Sequence, residues 1–94
     1  MESLKEIIIK TIELLNKSEE SDWSPLTPKE VIKNLETQLE KLEKNEKIDR
    51  LLLEVEFAPT STIQEISMAN GWSSEYLKLS SKFDKEITKI NKNQ

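Results

Sequence analysis

Carboxylates are the only abundant side chains in this chain that could carry out acid–base or metal chemistry. The 94 residues include 18 aspartates and glutamates but no histidine and no cysteine. The commonest general base, the commonest transition-metal ligand and the thiolate nucleophile are therefore excluded. A catalytic carboxylate pair needs one acid in a dry pocket that raises its pKa, whereas these acids stand among lysines in strongly charged sequence. We expect no catalytic residue.

Ligand loops that depend on glycine are excluded by composition as well. Gly71 is the single glycine, so neither phosphate-binding pattern, G-x-x-x-x-G-K-[ST] or G-x-G-x-x-G, can form. The acidic calcium loop D-x-[DN]-x-[DN]-G is also missing from the sequence. The serines lack a histidine base that could turn one of them into a nucleophile. The chain is therefore predicted to be a non-enzyme that binds no metal and no cofactor.

The acidity of the chain lies in its first part. Residues 1–56 hold 14 acids and 9 bases, a net charge of −5, whereas residues 57–94 hold 4 acids and 5 bases, a net charge of +1. Five acids in the middle of the chain could form an acidic ridge that binds a basic partner: Glu36, Glu40, Glu43, Glu46 and Asp49. Lysines are interspersed among them at positions 33, 41, 44 and 47, so a solvated helix face is the competing interpretation.

The elements that would position these acids are helices. Ser3 and Glu6 have the spacing of a capping box, and apolar residues follow at helical spacing as far as Leu15. The polar stretch over residues 16–24 predicts a loop, in which Trp23 would pack against the core. A first amphipathic helix followed by a loop is therefore expected.

The second helix begins with the clearest local signal in the sequence. Thr27 suits the N-cap and Pro28 suits the first helical position. The apolar face of this helix would carry Val31, Leu35, Leu39 and Leu42. The apolar pattern then shifts and restarts with Ile48, Leu51, Leu52 and Val55. Either another helix begins near Asn45, or one long helix turns its buried face there; we expect a break, because an unbroken helix would be long for this domain.

The last part of the chain predicts two helices joined by a corner. Ser61 or Thr62 can cap a short helix, and Asn70-Gly71 ends it because glycine can take the left-handed conformation. The final helix would carry one apolar stripe: Tyr76, Leu79, Phe83, Ile87 and Ile90.

The whole pattern predicts an all-α fold, since no stretch alternates polar and apolar residues for long enough to indicate a strand. We expect a single helical domain over 1–94, a compact bundle of four to five helices with a tight α–α corner at Gly71 and a frayed tail at 91–94. The longest apolar runs, 7–9 and 51–53, are too short for a secretory signal or a membrane span, which predicts a cytoplasmic protein.

Residues 62–83 carry the most regular pattern. Ile66, Ser67, Gly71 and Leu77 stand where a helix-turn-helix places apolar, small, glycine and apolar residues. In this the segment resembles the helix-turn-helix of transcription activators of the arabinose-regulator type, which implies DNA binding through the second helix. Charge argues against that function, because lysines at 78, 82, 85 and 89 are accompanied by Glu75, Asp84 and Glu86.

A longer pattern spans residues 57–84 and reads F-A-P-T-x-x-x-Q-E-I-S-x-x-x-G-W-x-x-E-Y-L-x-L-x-x-x-F-D. It is similar to that of small acidic bacterial proteins of uncharacterised or immunity type, which neutralise a toxin encoded beside them. The resemblance covers 28 of the 94 residues and implies an inhibitor that binds its toxin. The candidate partner-binding residues within it are Gln64, Glu65, Trp72, Glu75 and Tyr76, although Trp72 and Tyr76 also suit the core.

These observations favour a non-enzymatic, cytoplasmic protein that binds a protein partner. In its sharpest form the hypothesis is an immunity protein that occludes the active site of a basic toxin, such as a nuclease. A helix-turn-helix regulator that binds DNA through residues 62–83 is one alternative. A small structural homodimer with the last helix at its interface is another, and the sequence leaves monomer and homodimer open.

Overall fold

Five helices make up the described part of the chain, which is residues 3–19, 28–58 and 61–91 of a computed structural model. They are α1 (Leu4–Asn16), α2 (Pro28–Glu43), α3 (Arg50–Glu56), α4 (Thr62–Ala69) and α5 (Ser73–Asn91). None of the described residues lies in a strand. The predicted all-α bundle is therefore confirmed, and its principal extents are 38, 22 and 19 Å. The predictions for Trp23, Thr27, the side chain of Ile90 and the end of the tail at 92–94 lie outside the described residues.

Serine caps begin two of the helices where the sequence predicts them. The Ser3 hydroxyl accepts a hydrogen bond from the backbone N–H of Glu6 at 3.3 Å, at the start of α1. The Ser61 hydroxyl accepts one from the backbone N–H of Gln64 at 3.2 Å, at the start of α4. Each bond satisfies a helix N–H group that has no partner within the helix, so both boundaries are set by local sequence.

The core lies where α1, α2, α4 and α5 meet. α1 packs against α2 and α5, and α4 packs against α5 and α2. Phe57, which follows α3, stacks with its ring centroid 4.5 Å from that of Phe83 and 6.5 Å from that of Tyr76. The remaining buried apolar side chains are Leu4, Ile7, Ile8, Leu15, Val31, Leu35, Ile48, Leu53, Ile63, Ile66, Trp72, Leu79 and Ile87. The apolar stripes predicted for α1, for the first half of α2 and for α5 thus meet in one core.

Two helices end on a residue with positive φ. Asn45 follows α2 with φ of 57°, and Gly71 follows α4 with φ of 79°. The backbone N–H of Glu46 donates to the carbonyl of Lys41 at 2.8 Å, and the equivalent bond after α4 measures 2.9 Å. Both ends are Schellman motifs, in which asparagine and glycine are the residues that tolerate the left-handed conformation. The predicted break near Asn45 and the predicted corner at Gly71 are therefore confirmed.

The predicted buried face of the third helix is wrong. Ile48 is buried and Leu52 is half-buried, but Leu51 is 71% exposed and Val55 is 61% exposed, while Leu53 points into the core. Ile48 lies in the loop that precedes α3, so the direction of its side chain is not tied to the helical period. Counting that period from Ile48 therefore placed the wrong residues on the inner face.

Candidate binding surfaces

Buried hydroxyl groups connect α5 to the start of α4 and to the residues that follow α3. The fully buried Tyr76 donates a hydrogen bond to the carbonyl oxygen of Ala58 at 2.6 Å, and its hydroxyl lies 2.9 Å from Oγ of Ser61. Ser80 donates to the carbonyl oxygen of Phe57 at 2.7 Å. Burial raises the pKa of the Tyr76 phenol, so the group stays a neutral donor. These bonds fasten the segment between α3 and α4 to α5.

The corner between α4 and α5 at Gly71 is tied to the end of α1. The buried indole of Trp72 donates from Nε1 to Oγ of Ser18 at 2.8 Å. The Asn70 side chain accepts from the backbone N–H of Glu19 at 2.9 Å and donates to the Glu19 carbonyl at 3.1 Å. Trp72 and Tyr76, both candidates for partner contact, thus have their polar atoms bonded inside the fold. The structure places both side chains in the core.

Glu56 is a buried acid on the inner side of α3. Its side chain is 5% exposed, and its Oε1 accepts a hydrogen bond from Nδ2 of Asn34 on α2 at 3.4 Å. Burial raises the pKa of the Glu56 carboxyl, and the bond from Asn34 opposes part of that rise. The sequence carries no signal that distinguishes Glu56 from the exposed acids around it, so the prediction missed this residue.

The acidic ridge lies on α2 and on the loop after it. Glu36, Glu40 and Glu43 share one exposed face of α2, because residues four and seven apart lie on the same side of a helix. Glu46 and Asp49 are exposed in the loop that leads to α3. The five acids of the ridge are thus all at the surface, within a stretch of 14 residues on α2 and the loop after it.

Two members of the ridge also have local partners. Glu40 forms an ion pair with Lys44 at 2.6 Å, and this bond lowers the pKa of the Glu40 carboxyl. The Asp49 carboxylate accepts a hydrogen bond from the backbone N–H of Leu52 at 3.1 Å and so caps α3. Glu40 is therefore partly neutralised, whereas Asp49 helps to fix the loop on which it stands.

The remaining polar candidates lie on α4 and α5. Gln64 is half-buried, and its Oε1 accepts from Oγ of Ser67 at 3.0 Å. Glu65 is half-buried as well, and its Oε2 is buried without a hydrogen-bond partner among the described residues. Glu75 is exposed near the start of α5, where it borders a separate cavity. Gln64 and Glu65 thus lie on α4 and Glu75 on α5, whereas the acidic ridge lies on α2 and the loop after it.

That cavity is a groove of about 320 Å³ between α1 and α5. We call it the basic groove. On one side it is lined by Lys10, Glu13 and Leu14 of α1 and by Lys17, which directly follows α1, and on the other by Glu75, Lys78, Leu79 and Lys82 of α5. Four lysines and two glutamates give the lining a net charge of +2 on a chain of net charge −4. The net charge of the groove lining is therefore opposite in sign to the net charge of the rest of the chain.

Sequence reasoning missed the basic groove, although each wall carries a signal. Lys10 and Lys17 are seven residues apart and Lys78 and Lys82 are four apart, the spacings of residues on one side of a helix, although Lys17 itself is the C-cap of α1. The spacing predicts two lysine-bearing faces. It does not predict that α1 and α5 pack side by side and bring them together.

Neither a metal site nor a membrane span is found in the part of the chain that the structure describes. Within residues 3–19, 28–58 and 61–91, no group of three or more acidic side chains is arranged to hold a metal ion. None of the helices formed by these residues has the length and apolar character needed to cross a bilayer. Comparison with known proteins gives no match to a family model, to a curated protein or to a solved structure.

Proposed function

We propose that this chain is a non-enzymatic protein of the cytoplasm that binds a basic protein partner through the acidic ridge. A single observation carries the proposal: Glu36, Glu40 and Glu43 stand exposed on one face of a helix, with Glu46 and Asp49 exposed next to its end. In its sharpest form the partner is a toxin, such as a nuclease, and the chain is the immunity protein that neutralises it.

The ridge is supported by a fixed helix and a fixed loop. Val31 and Leu35 are fully buried on the opposite side of α2 and attach the helix to the core. The buried Gln38 accepts a hydrogen bond from the backbone N–H of Asp49 at 2.6 Å, which fastens the loop to α2. A partner would therefore meet carboxylates whose backbone is already in place, which reduces the entropy lost on binding.

Inhibition by such a surface is steric and electrostatic. A nuclease must carry a basic cleft to bind its polyanionic substrate, and a row of carboxylates is complementary to that cleft. Long-range attraction would accelerate the encounter, and the bound helix would then block the entry of substrate. The chain needs no catalytic residue for this activity.

The test uses the protein encoded by the reading frame next to this chain as the partner. Replacement of two ridge acids by lysine, Glu36→Lys with Glu43→Lys, should weaken binding by roughly a hundredfold or more, since two charge pairs become repulsive. The matched control is Glu54→Lys with Asp84→Lys, two exposed acids off the ridge. Each double variant changes the net charge from −4 to 0, because every replacement adds two charges.

Calorimetry measures the dissociation constants of the three proteins. The proposal expects the control to bind within about threefold of the wild type, because its charges lie away from the contact. An equal loss in both double variants would mean that total charge, and not the ridge, governs binding. An absence of any binding to the neighbouring product would overturn the immunity role.

DNA binding is the second candidate, and one observation favours it. α4 and α5 meet in a tight corner at Gly71, and lysines recur on one face of α5 at positions 78, 82, 85 and 89. Glu75 near the start of α5 and Glu86 further along it would both repel phosphate. A gel-shift measurement at low salt, with Lys78→Glu and Lys82→Glu as the variant, separates this candidate from protein binding.

A further inference from the structure

We propose that the basic groove is a second binding site and that its ligand is an acidic amphipathic segment of a protein partner. Two lysines line each side of the groove. Lys10 lies on α1 and Lys17 at its C-cap, and they face Lys78 and Lys82 of α5. Leu14 and Leu79 also line it. The site thus offers cationic sides and an apolar floor to one ligand, which must be anionic and apolar at once.

The two helices that form the groove run in opposite directions. Trp72, next to the start of α5, is bonded to Ser18, next to the end of α1, at 2.8 Å, and the helices pack side by side from there. Lys17 therefore lies towards the Glu75 end of the groove, and Lys10 lies towards Lys82. The cations are consequently spread along the groove and do not converge on one point, which suits an extended ligand better than a single ion.

The spacing of the cations fits a helical ligand. Seven residues separate Lys10 from Lys17, a rise of about 10 Å along α1, and four separate Lys78 from Lys82, a rise of about 6 Å along α5. Glutamates seven and four residues apart on a bound helix are separated by the same two distances along its axis. A helix laid along the groove can therefore direct carboxylates to both sides while its apolar stripe faces Leu14 and Leu79.

The apolar floor distinguishes this site from a simple patch of positive charge. Leu79 is buried and Leu14 is half-buried, so the floor belongs to the edge of the hydrophobic core. The cavity of about 320 Å³ falls at the lower end of the range for ligand pockets, and it can admit the side chains of a short apolar stripe. Burial of those side chains would add to the affinity that charge alone supplies.

A nucleic acid fits the groove less well than an acidic protein segment does. Glu13 and Glu75 stand in the lining, and none of the described residues that line the groove is an aromatic on which a base could stack. Outside the groove the chain carries a net charge of −6, which is −4 minus the +2 of the lining. That charge repels a long polyanion, whereas a short acidic segment can approach the groove alone.

The acidic ridge of another copy of this chain is a less suitable ligand. The ridge lies on α2 and the groove lies between α1 and α5, so contact between two copies would join different surfaces. In such a pair, one copy keeps a free ridge and the other keeps a free groove. Further copies can therefore bind at both ends, and the contact produces an open-ended assembly. Sedimentation of the protein alone therefore belongs to the test.

The experiment measures the binding of a fluorescein-labelled helical peptide of glutamate, alanine and leucine, with leucine at every third or fourth position. One control peptide carries lysine in place of every glutamate, and another carries serine in place of every leucine. The groove variant is Lys17→Glu with Lys78→Glu, one lysine from each side. The matched control is Lys29→Glu with Lys33→Glu on α2, and both variants have a net charge of −8, since each replacement removes two charges from −4.

We expect the acidic amphipathic peptide to bind the wild type, and both control peptides to bind at least tenfold more weakly. The groove variant should lose roughly tenfold or more in affinity, whereas the control variant should stay within about threefold, because exposed charges away from the site are screened. Circular dichroism checks that both variants keep their helix content.

Four outcomes would overturn the proposal. They are no binding of the acidic peptide at low salt, equal losses in the two double variants, binding of labelled poly-uridine more tightly than the peptide, and concentration-dependent growth of the protein alone into long assemblies. The last two would assign the groove to a nucleic acid or to another copy of this chain.

Discussion

The α4–α5 pair and the acidic ridge on α2 use polar residues in opposite ways. At the start of α4 and along α5 the hydroxyls of Ser61, Tyr76 and Ser80 are buried and bonded to neighbouring groups. On the ridge the polar groups are carboxylates that face solvent. Residues 57–84, which carry the most regular sequence pattern, therefore stabilise the fold. The candidate binding surfaces lie instead on helix faces whose sequence shows little regular pattern.

Because of this difference, the resemblance to immunity-type proteins gives little support to a contact with a toxin. The pattern over 57–84 includes Phe57, Trp72, Tyr76 and Phe83, and all four side chains are buried. A likeness that rests on core residues concerns the packing of α4 and α5 more than any contact with a toxin. The immunity proposal therefore depends on the acidic ridge, which lies outside the resembling segment.

The largest effect on the free energy of unfolding is expected from Tyr76→Phe, which alters the bonds between α5 and the start of α4. This replacement keeps the ring in the core but removes the hydroxyl, so that the Ala58 carbonyl and the Ser61 hydroxyl lose a partner inside the fold. The free energy of unfolding should fall by about 1–3 kcal/mol, as measured by urea denaturation. Thr88→Ala is the control, because the Thr88 hydroxyl is exposed and should contribute no more than about 0.5 kcal/mol. Equal losses of stability in the two variants would show that the buried Tyr76 hydroxyl stabilises the fold no more than the exposed Thr88 hydroxyl does.

A smaller loss of free energy of unfolding is expected from Gly71→Ala. Nothing lies within 4 Å of the added Cβ, so the cost comes from the φ of 79° alone. Thermal unfolding should report a loss of about 1–2 kcal/mol, since alanine is strained in the left-handed conformation. Asn45→Gly is the matched change at the end of α2, where φ is 57°, and it should alter stability by less than about 0.5 kcal/mol. A neutral Gly71→Ala would mean that the corner does not depend on this conformation.

The smallest effect concerns Glu56 and depends on pH. Burial raises the pKa of this carboxyl in the folded state, so the folded protein keeps a proton that the unfolded chain has already released. The free energy of unfolding therefore falls as pH rises through the window between the two pKa values, and it stays lower above that window. Glu56→Gln should remove this fall, and its amide oxygen can still accept the bond from Asn34.

Urea denaturation from about pH 4 to pH 7 tests this prediction, since an unperturbed glutamate titrates at the low end of that range. The stability of Glu56→Gln relative to the wild type should increase with pH across this range. A constant difference across the range would mean that Glu56 titrates normally in the fold.

Local sequence determined most of the fold. Caps at Ser3 and Ser61, stops at Asn45 and Gly71 and the regular apolar stripes are short-range features, and the structure confirms them. The inner face of α3 was not predictable, because Ile48 lies in a loop and seven helical residues carry too little periodicity to fix an orientation. The basic groove was not predictable either, since it exists only where α1 packs against α5.

The most direct test of the central claim is the salt dependence of association with the product of the neighbouring reading frame. Stopped-flow fluorescence measures the association rate at rising ionic strength for the wild type and for Glu36→Lys with Glu43→Lys. We predict a steep fall in rate for the wild type, a much flatter dependence for the variant, and no more than about 1 kcal/mol of change in the variant's free energy of unfolding. The same salt dependence in both proteins would contradict the assignment of the acidic ridge as the binding surface.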